Sequence, residues 1–428
     1  MINNKYLHLI QLMRNERCPL EELRSIQNKK LKRLVRHAYH HIPFYRNQFR
    51  KINLHPDDIR TVDDLYKIPI IDKADFYKYP FSYFLDDRIK SFEKLIRINT
   101  SGSSGQILQF FVDQRYNQLR KAQFLRPYMT NGCGLMDRTV WFRGRPEAKQ
   151  MLHQKLGLLK DHQFYSGLDP DFQIQLVQKI RPKVMRGYGS TFQLMASRIL
   201  EKGIAVHSPR LIFTDSEMLN DNSRRKIETA FQAEVIDVYG TFETENIAYE
   251  CRKHNGYHMA VDCVIMEFLK DGIPVKPGEE GEIICTVLDN FTFPFIRYNL
   301  HDLGSWLDRP CTCGRTFPLM KTISGRTSHY FKKRDGSKIS SISITSHMWH
   351  LGQYIHEFQI IQKATDLFLL LIVPSCFFSE KIQKEIEKLM YKDFPYATIR
   401  IRLVDHIERE KSGKLLDFKP FLEKQNNK

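Results

Sequence analysis

The chain has 428 residues, 42% hydrophobic and 12% aromatic, with eight cysteines and a formal charge of +17. That length exceeds one ordinary core and calls for two or three domains, and the apolar content is too high for extensive disorder. No apolar run approaches the ~20 residues a membrane-spanning helix needs, and cysteines this sparse fit reduced thiols in a cytoplasm better than a disulfide framework.

In chain order, the opening MINNKYLHLIQLMRNERC lacks a basic start followed by a clean apolar core, so no signal peptide is expected. Residues 1–90 are expected to be helical, broken at Pro43, Pro56, Pro69 and Pro80. Residues 1–50 hold eleven Lys/Arg against Glu16, Glu21 and Glu22. The run from Lys29 to Arg36 puts Leu31, Leu34 and Val35 on one helical face and cations on the others. Such a helix either packs its apolar side on its own domain or rests on an anionic membrane surface. Zinc-finger spacing and RNA-recognition signatures are missing, so nucleic acid is not an expected partner. The general positive excess suits anionic small molecules such as nucleotides.

From about 95 to 320, short β-branched runs alternate with helical patterns. Strands are predicted at 138–142, 209–214 and 233–238, and helices at 170–180 and 220–231. Later strands follow at 261–269 and 281–288. This alternation predicts α/β layering. After Gly325 the texture changes: a hairpin turn at Arg334-Asp335-Gly336-Ser337, strands at 357–362, 367–373 and 398–404, and a helix at 379–391. The expected architecture is a large multi-layered α/β domain over 1–325, with its helical segment at 1–90, and a small mobile α+β domain over 326–428.

Several segments carry chemistry. Thr100-Ser101-Gly102-Ser103-Ser104-Gly105 sits between Ile96-Arg97-Ile98 and the apolar run 108–112. Its small and hydroxyl residues can wrap an anion with backbone N–H groups, or simply close a hairpin. It is not the GxxxxGK[ST] loop, because Gln106 and Ile107 follow Gly105. Next come Phe213-Thr214-Asp215-Ser216-Glu217 and Val238-Tyr239-Gly240-Thr241-Phe242-Glu243. Then follow Arg297-Tyr298-Asn299-Leu300-His301-Asp302-Leu303-Gly304, Gly325-Arg326 and Lys411-Ser412-Gly413-Lys414.

In this order the segments resemble those of adenylate-forming enzymes, the superfamily of acyl–coenzyme A synthetases, luciferases and peptide-synthetase adenylation domains. The opening LKRLVRHAYHHIPFYRNQF and Cys311-Thr312-Cys313-Gly314-Arg315 resemble the phenylacetate–coenzyme A ligase branch and its capsular-polysaccharide-biosynthesis relatives. The resemblance spans nearly the whole chain. It implies that a small carboxylic acid attacks the α-phosphate of ATP, giving an acyl-adenylate and pyrophosphate, and that the acyl group then passes to coenzyme A or another acceptor. Such a transfer needs positioning and charge neutralisation more than covalent help.

The resemblance also implies roles. The loop from Thr100 to Gly105 would hold the β- and γ-phosphates. Ser216 and Glu217 would lie along the nucleotide, Tyr239 would offer its ring to adenine, and Gly240 would let the backbone come close. Glu243 would hold Mg²⁺, which prefers oxygen ligands and substrate phosphates. Asp302 would accept the ribose hydroxyls, and Arg326 would bind the ribose or phosphate edge. Lys414 would swing in on its loop to stabilise charge on the carboxylate and α-phosphate.

The chain departs from the pattern at Phe242, where a small hydroxyl residue is expected, and at Ser328 and His329, where the hinge is usually acidic. These departures keep open the reading of a catalytically silent nucleotide-binding scaffold, and the resemblance to the capsule-related branch keeps open acyl or aminoacyl transfer to a saccharide. Cys251, His258, Cys311 and Cys313 form a Cys₃His set, either a closed structural zinc site or buried free thiols beside a surface histidine. Arg143, beside Trp141, is a candidate partner for a substrate carboxylate or for a second acid group.

Overall fold

The computed structural model describes residues 4–100, 108–144, 146, 160–326, 330–410 and 413–419. The chain opens with helices α1 (Lys5–Asn15), α2 (Leu20–His41) and α3 (Pro43–Lys51) and a series of short 3₁₀ turns. Strands β1 (Ile96–Asn99) and β2 (Gln109–Val112) follow, then α4 (Gln114–Thr130), β3 (Thr139–Arg143), β4 (Asp161–Tyr165), α5 (Pro170–Ile180), β5 (Val184–Tyr188), α6 (Gly189–Lys202), β6 (Leu211–Asp215) and α7 (Asp221–Phe231). Next come β7 (Glu234–Thr241), β8 (Glu245–Glu250), β9 (Tyr257–Met259), β10 (Val264–Lys270), β11 (Ile273–Pro274), β12 (Gly281–Val287), β13 (Tyr298–Leu307) and β14 (Leu319–Arg326). The last stretch holds β15 (Tyr330–Lys332), β16 (Lys338–Ser340), α8 (Ile342–His350), β17 (Ile355–Ala364), β18 (Leu367–Pro374), α9 (Glu380–Asp393), β19 (Thr398–Leu403) and β20 (Phe418–Lys419).

Contacts divide the chain into two units: residues 1–132 with 238–324, and residues 133–237 with 325–428. The first unit carries the strand order β11-β10-β12-β13-β14-β9-β8-β7 and the separate antiparallel pair β1-β2. Its core joins α2 and α3 to the sheet through Leu31, Leu34, Val35, Phe44, Phe49, Phe110, Phe293 and Phe295. The basic helix thus turns its apolar stripe inward, where Leu31, Leu34 and Val35 are fully buried. Two of its cations are also engaged: Lys30 pairs with Asp289 at 2.7 Å, and Arg36 with Asp57 at 2.8 Å. No helix among the described residues is long and apolar enough to cross a membrane.

In the second unit β4, β3, β5 and β6 are neighbours in that order and all parallel. Helices α5, α6 and α7 cover them with a core of Val140, Phe142, Val177, Phe192, Met195, Ile227 and Phe231. This is the arrangement in which short buried runs read as continuous apolar strands. The C-terminal part is an α+β body in which β19-β18-β17-β20 pack against α8 and α9 through Phe331, Phe358, Phe368, Ile386 and Phe394. The expected hairpin falls between β15 and β16. Together the two units form the mixed α/β fold with a small C-terminal α+β body that the sequence predicts.

Among the described residues three helices escaped the sequence reading: α4, α6 and α8. α4 contains Pro127 and buries Arg120, Gln123 and Arg126, so its inward face carries polar residues where an apolar stripe would mark it. Arg126 is fully buried against Asp262, both carboxylate oxygens at 2.9 Å. α6 begins on Gly189-Ser190-Thr191, a run that reads as a turn until the helix packs.

Candidate functional site

The candidate residues fall into one set in each unit and a separate cysteine cluster. In the first unit β7 ends at Tyr239-Gly240-Thr241, and the chain turns tightly into β8, with a register break between Tyr239 and Gly240. A Cβ on Gly240 would stand 2.2 Å from the Glu245 carbonyl oxygen, so only glycine fits this close approach. The hydroxyls of Thr241 and Thr244 meet at 3.1 Å across the turn. From α4, Arg120 donates to the Phe242 carbonyl at 2.9 Å and pairs with Glu245 at 2.8 Å. Phe242 itself is exposed, whereas Glu243 is buried.

The Tyr239 hydroxyl donates to Asp302 Oδ2 at 2.7 Å. Asp302 is buried on β13, four residues beyond Tyr298, whose hydroxyl donates to Glu243 Oε1 at 3.3 Å. Burial, then the Glu243 charge, pushes the Tyr298 phenol well up, so it stays a donor. Thr100 closes the β1-β2 end: its N–H donates to the Leu108 carbonyl at 2.9 Å, and its Oγ1 accepts from the Leu108 N–H at 3.0 Å. Ser101, Gly102, Ser103, Ser104 and Gly105 lie outside the described residues.

In the second unit the parallel strands end at Arg143, Tyr188 and Asp215, with Tyr188 and Asp215 in register. This carboxyl edge is where open α/β sheets bind ligands. Trp141 lies between two guanidiniums, Arg143 at 4.0 Å and Arg186 at 4.1 Å from the ring centre. Arg186 also faces Asp161 at 3.5 Å. Ser216 follows in a left-handed turn, φ +66°. Glu217 accepts from the Ser190 N–H at 3.0 Å and from the Leu415 N–H at 2.9 Å. Burial raises the Asp215 carboxyl; a hydrogen bond from Ser216 and the charges of Arg186 and Lys414 oppose the rise. Lys414 therefore stands within electrostatic reach of the strand ends. Lys411 and Ser412 lie outside the described residues. So do Ser328 and His329, and Arg326 is described by its backbone alone, at the end of β14.

The cysteine cluster is drawn together in the first unit. One ligand atom from each of Cys251, His258, Cys311 and Cys313 lies within 4.8 Å of all the others. Cys251 Sγ and Cys311 Sγ are 3.6 Å apart, and Cys313 Sγ is 3.4 Å from His258 Nε2. Sulfurs on a tetrahedral zinc with ~2.3 Å bonds lie about 3.8 Å apart, so the donor set fits that ion. Burial, with the Arg315 charge adding to it, brings His258 down to about 4, leaving the imidazole neutral as a ligand must be. The four residues come from β9 and from the loops after β8 and before β14, a convergence the sequence spacing predicts only as one of two options.

The sequence reading missed Arg120, Tyr298, Ser190 and Arg409 as supports of these sets. Tyr298 sits inside the Arg297–Gly304 segment, but nothing in its local pattern marks it as a partner of Glu243. A groove of about 890 Å³ along α2, lined by Arg24, Lys29, Lys32, Arg60 and neighbouring apolar residues, shares no residue with any of them.

Comparison with known proteins gives three kinds of match. Residues 331–417 match the CapK C-terminal domain family. The chain is 27% identical over 368 residues to a phenylacetate–coenzyme A ligase of Thermus thermophilus, covering 81% of this chain and 79% of the ligase. It is 23% identical to protein CapK of Staphylococcus aureus, covering 83% of this chain and 79% of that protein. The fold is similar to that of a crystal structure of 2-hydroxyisobutyryl-CoA ligase in the postadenylation state in complex with 2-HIB-AMP, with a TM-score of 0.76, 20% identity, and 95% and 91% of the two chains covered.

Proposed function

The chain belongs to the phenylacetate–coenzyme A ligase and CapK branch of the adenylate-forming enzymes, and on that premise we propose that it activates a carboxylic acid with ATP and transfers the acyl group to coenzyme A. A carboxylate oxygen bonds to the α-phosphorus as the bond to the pyrophosphate oxygen breaks, and pyrophosphate leaves. The coenzyme A thiol then gives its proton to solvent as its sulfur bonds to the acyl carbon, the bond from that carbon to the phosphate oxygen breaks, and AMP leaves.

The observation that carries this reading is the 2.7 Å bond from Tyr239 to Asp302, which links two motifs 63 residues apart. Tyr239 offers its ring to adenine, held in plane by that bond. A carboxylate accepts several donors, so Asp302 takes the ribose hydroxyls as well as the phenol. Gly240 lets β7 turn tightly against the Glu245 carbonyl, and the segment from Thr100 to Gly105 takes the β- and γ-phosphates, as the resemblance implies. Glu243, oriented by Tyr298, suits Mg²⁺, which when bound neutralises the phosphate oxygens. Lys414 stabilises the charge that develops on the acid and α-phosphate, and the role the resemblance implies for Arg326 is binding of the ribose or phosphate edge.

Phe242 does not argue for a silent scaffold. Its ring faces solvent while Arg120 holds its carbonyl, so Glu243 keeps its buried position. The Cys₃His cluster suits a structural zinc, whose work would be to hold the loops after β8 and before β14 together. A second reading concerns the acceptor alone: the resemblance to capsular-polysaccharide-biosynthesis relatives implies an amine or hydroxyl on a saccharide.

Pyrophosphate exchange into ATP across aryl, fatty, hydroxy and amino acids tests the first half-reaction. Lys414→Ala abolishes exchange while leaving ATP binding intact if the assignment holds. Exchange with no acid, despite measurable ATP binding, overturns it.

A further inference from the structure

The geometry points to Glu217 as the positioning residue that seats the Lys414 loop for acyl-adenylate formation, an inference that rests on the proposed reaction. Helix α6 starts at Gly189 behind Tyr188, whose side chain makes no capping bond. Its first N–H groups therefore need an acceptor from elsewhere. Glu217, on the turn after β6, supplies it: Oε2 accepts from the Ser190 N–H at 3.0 Å, where a helix start favours negative charge. The other oxygen, Oε1, accepts from the Leu415 N–H at 2.9 Å. Leu415 directly follows Lys414. One carboxylate thus ties the peptide beside the lysine to a fixed helix end.

Three further contacts in the same unit bring the loop to the same place. Arg409 donates to Ser190 Oγ at 2.9 Å and pairs with the buried Glu357 of β17. Ser166 donates to the Gly413 carbonyl at 3.2 Å. Gly413 has φ +85°, and a Cβ there would meet Ser166 Oγ at 2.4 Å and the Gly144 Cα at 2.7 Å. The loop lies flush on the ends of β3 and β4 because residue 413 has no side chain. Glu217 works through Lys414 and gives up its own carboxylate to two backbone donors.

Two readouts separate this role from general support of the fold. In Glu217→Gln one oxygen can accept a bond, but the amide turns donors toward an N–H, so the loop loses its register. Misplacement by about 1 Å costs about 10²-fold. The expected result is a fall of that order in pyrophosphate exchange, with thioester formation from supplied acyl-adenylate and coenzyme A within about twofold of wild type. Gly413→Ala, which blocks seating by contact, should give the same split. Amide hydrogen exchange over residues 413–417 should rise in Glu217→Gln, while exchange in the α5 and α7 cores stays unchanged. Equal loss of both half-reactions, or unchanged protection at 413–417, overturns the assignment. If wild type exchanges pyrophosphate with no acid, the proposed reaction fails, and the protection of 413–417 still decides whether Glu217 seats the loop.

Discussion

Glu16 Oε2 lies 2.7 Å from Arg315 Nε, a buried ion pair that fastens the turn after α1 to the loop bearing Cys311 and Cys313. Tyr249 donates to the same glutamate, and Thr316 donates to the Glu16 carbonyl at 3.1 Å. Burial raises the Glu16 carboxyl while Arg315 and Arg126 pull it down, so the glutamate depends on its partners to stay charged.

Breaking that pair is expected to be costly. Arg315→Met leaves a buried carboxylate without its cation, and a loss of about 3–5 kcal/mol is expected. The double variant Glu16→Met with Arg315→Met should recover most of it, because both desolvation costs disappear. Urea denaturation of the two variants checks this; equal stabilities would show that the pair is not coupled.

The cysteine cluster should hold one zinc per chain. Metal analysis of purified protein is the measurement, with Cys313→Ser expected to lose most of the metal. Because Arg315 lies two residues from Cys313, chelation should also lower the melting temperature and loosen α1 in hydrogen exchange. Protein free of stoichiometric zinc ends the assignment.

Tyr239→Phe should raise KM for ATP about tenfold and leave kcat within about twofold, since a hydrogen bond to a charged group contributes roughly 1.5–3 kcal/mol. Asp302→Asn should raise KM further, because it also weakens the ribose contacts, and the double variant should cost little more than Asp302→Asn alone. Additive losses would show that the 2.7 Å bond does not couple the two.

Asp417 sets a pH dependence in the C-terminal body. Burial raises its carboxyl from 3.8 to about 6, against a hydrogen bond from the Trp349 indole at 3.3 Å. Below about 4 the group is protonated folded or unfolded, and its contribution is fully present. Between about 4 and 6 only the folded form keeps the proton, so stability falls as pH rises through about 6. Asp417→Asn should flatten that slope in melting curves taken between pH 4 and 7.

Much of this was legible because the parallel strands are short apolar runs and their helices start on plain caps. Asp169 and Asn220 accept from the third residue of α5 and α7, and both helices lie where the sequence predicts. What stayed hidden depends on partners far along the chain. Arg126 looks like a surface arginine until Asp262 arrives from 136 residues away. Glu217 reads as one more polar residue of a motif, and only the fold shows that a backbone N–H from 198 residues on occupies its carboxylate. The basic run of α2 suggests an outward-facing charge, yet Lys30 is tied to Asp289. Local pattern fixes which elements form; which ion meets which is decided by tertiary approach.

The stacking of Trp141 between Arg143 and Arg186 also gives the protein an optical handle. The chain has only three tryptophans. Trp306 donates to the Val275 carbonyl and Trp349 to Asp417, each in its own packed setting. Trp141 is the indole whose flanking groups are both cations. An anion that draws either guanidinium off the ring changes that indole's surroundings directly, so emission from an otherwise unlabelled chain can follow the arrival of an acid in stopped flow.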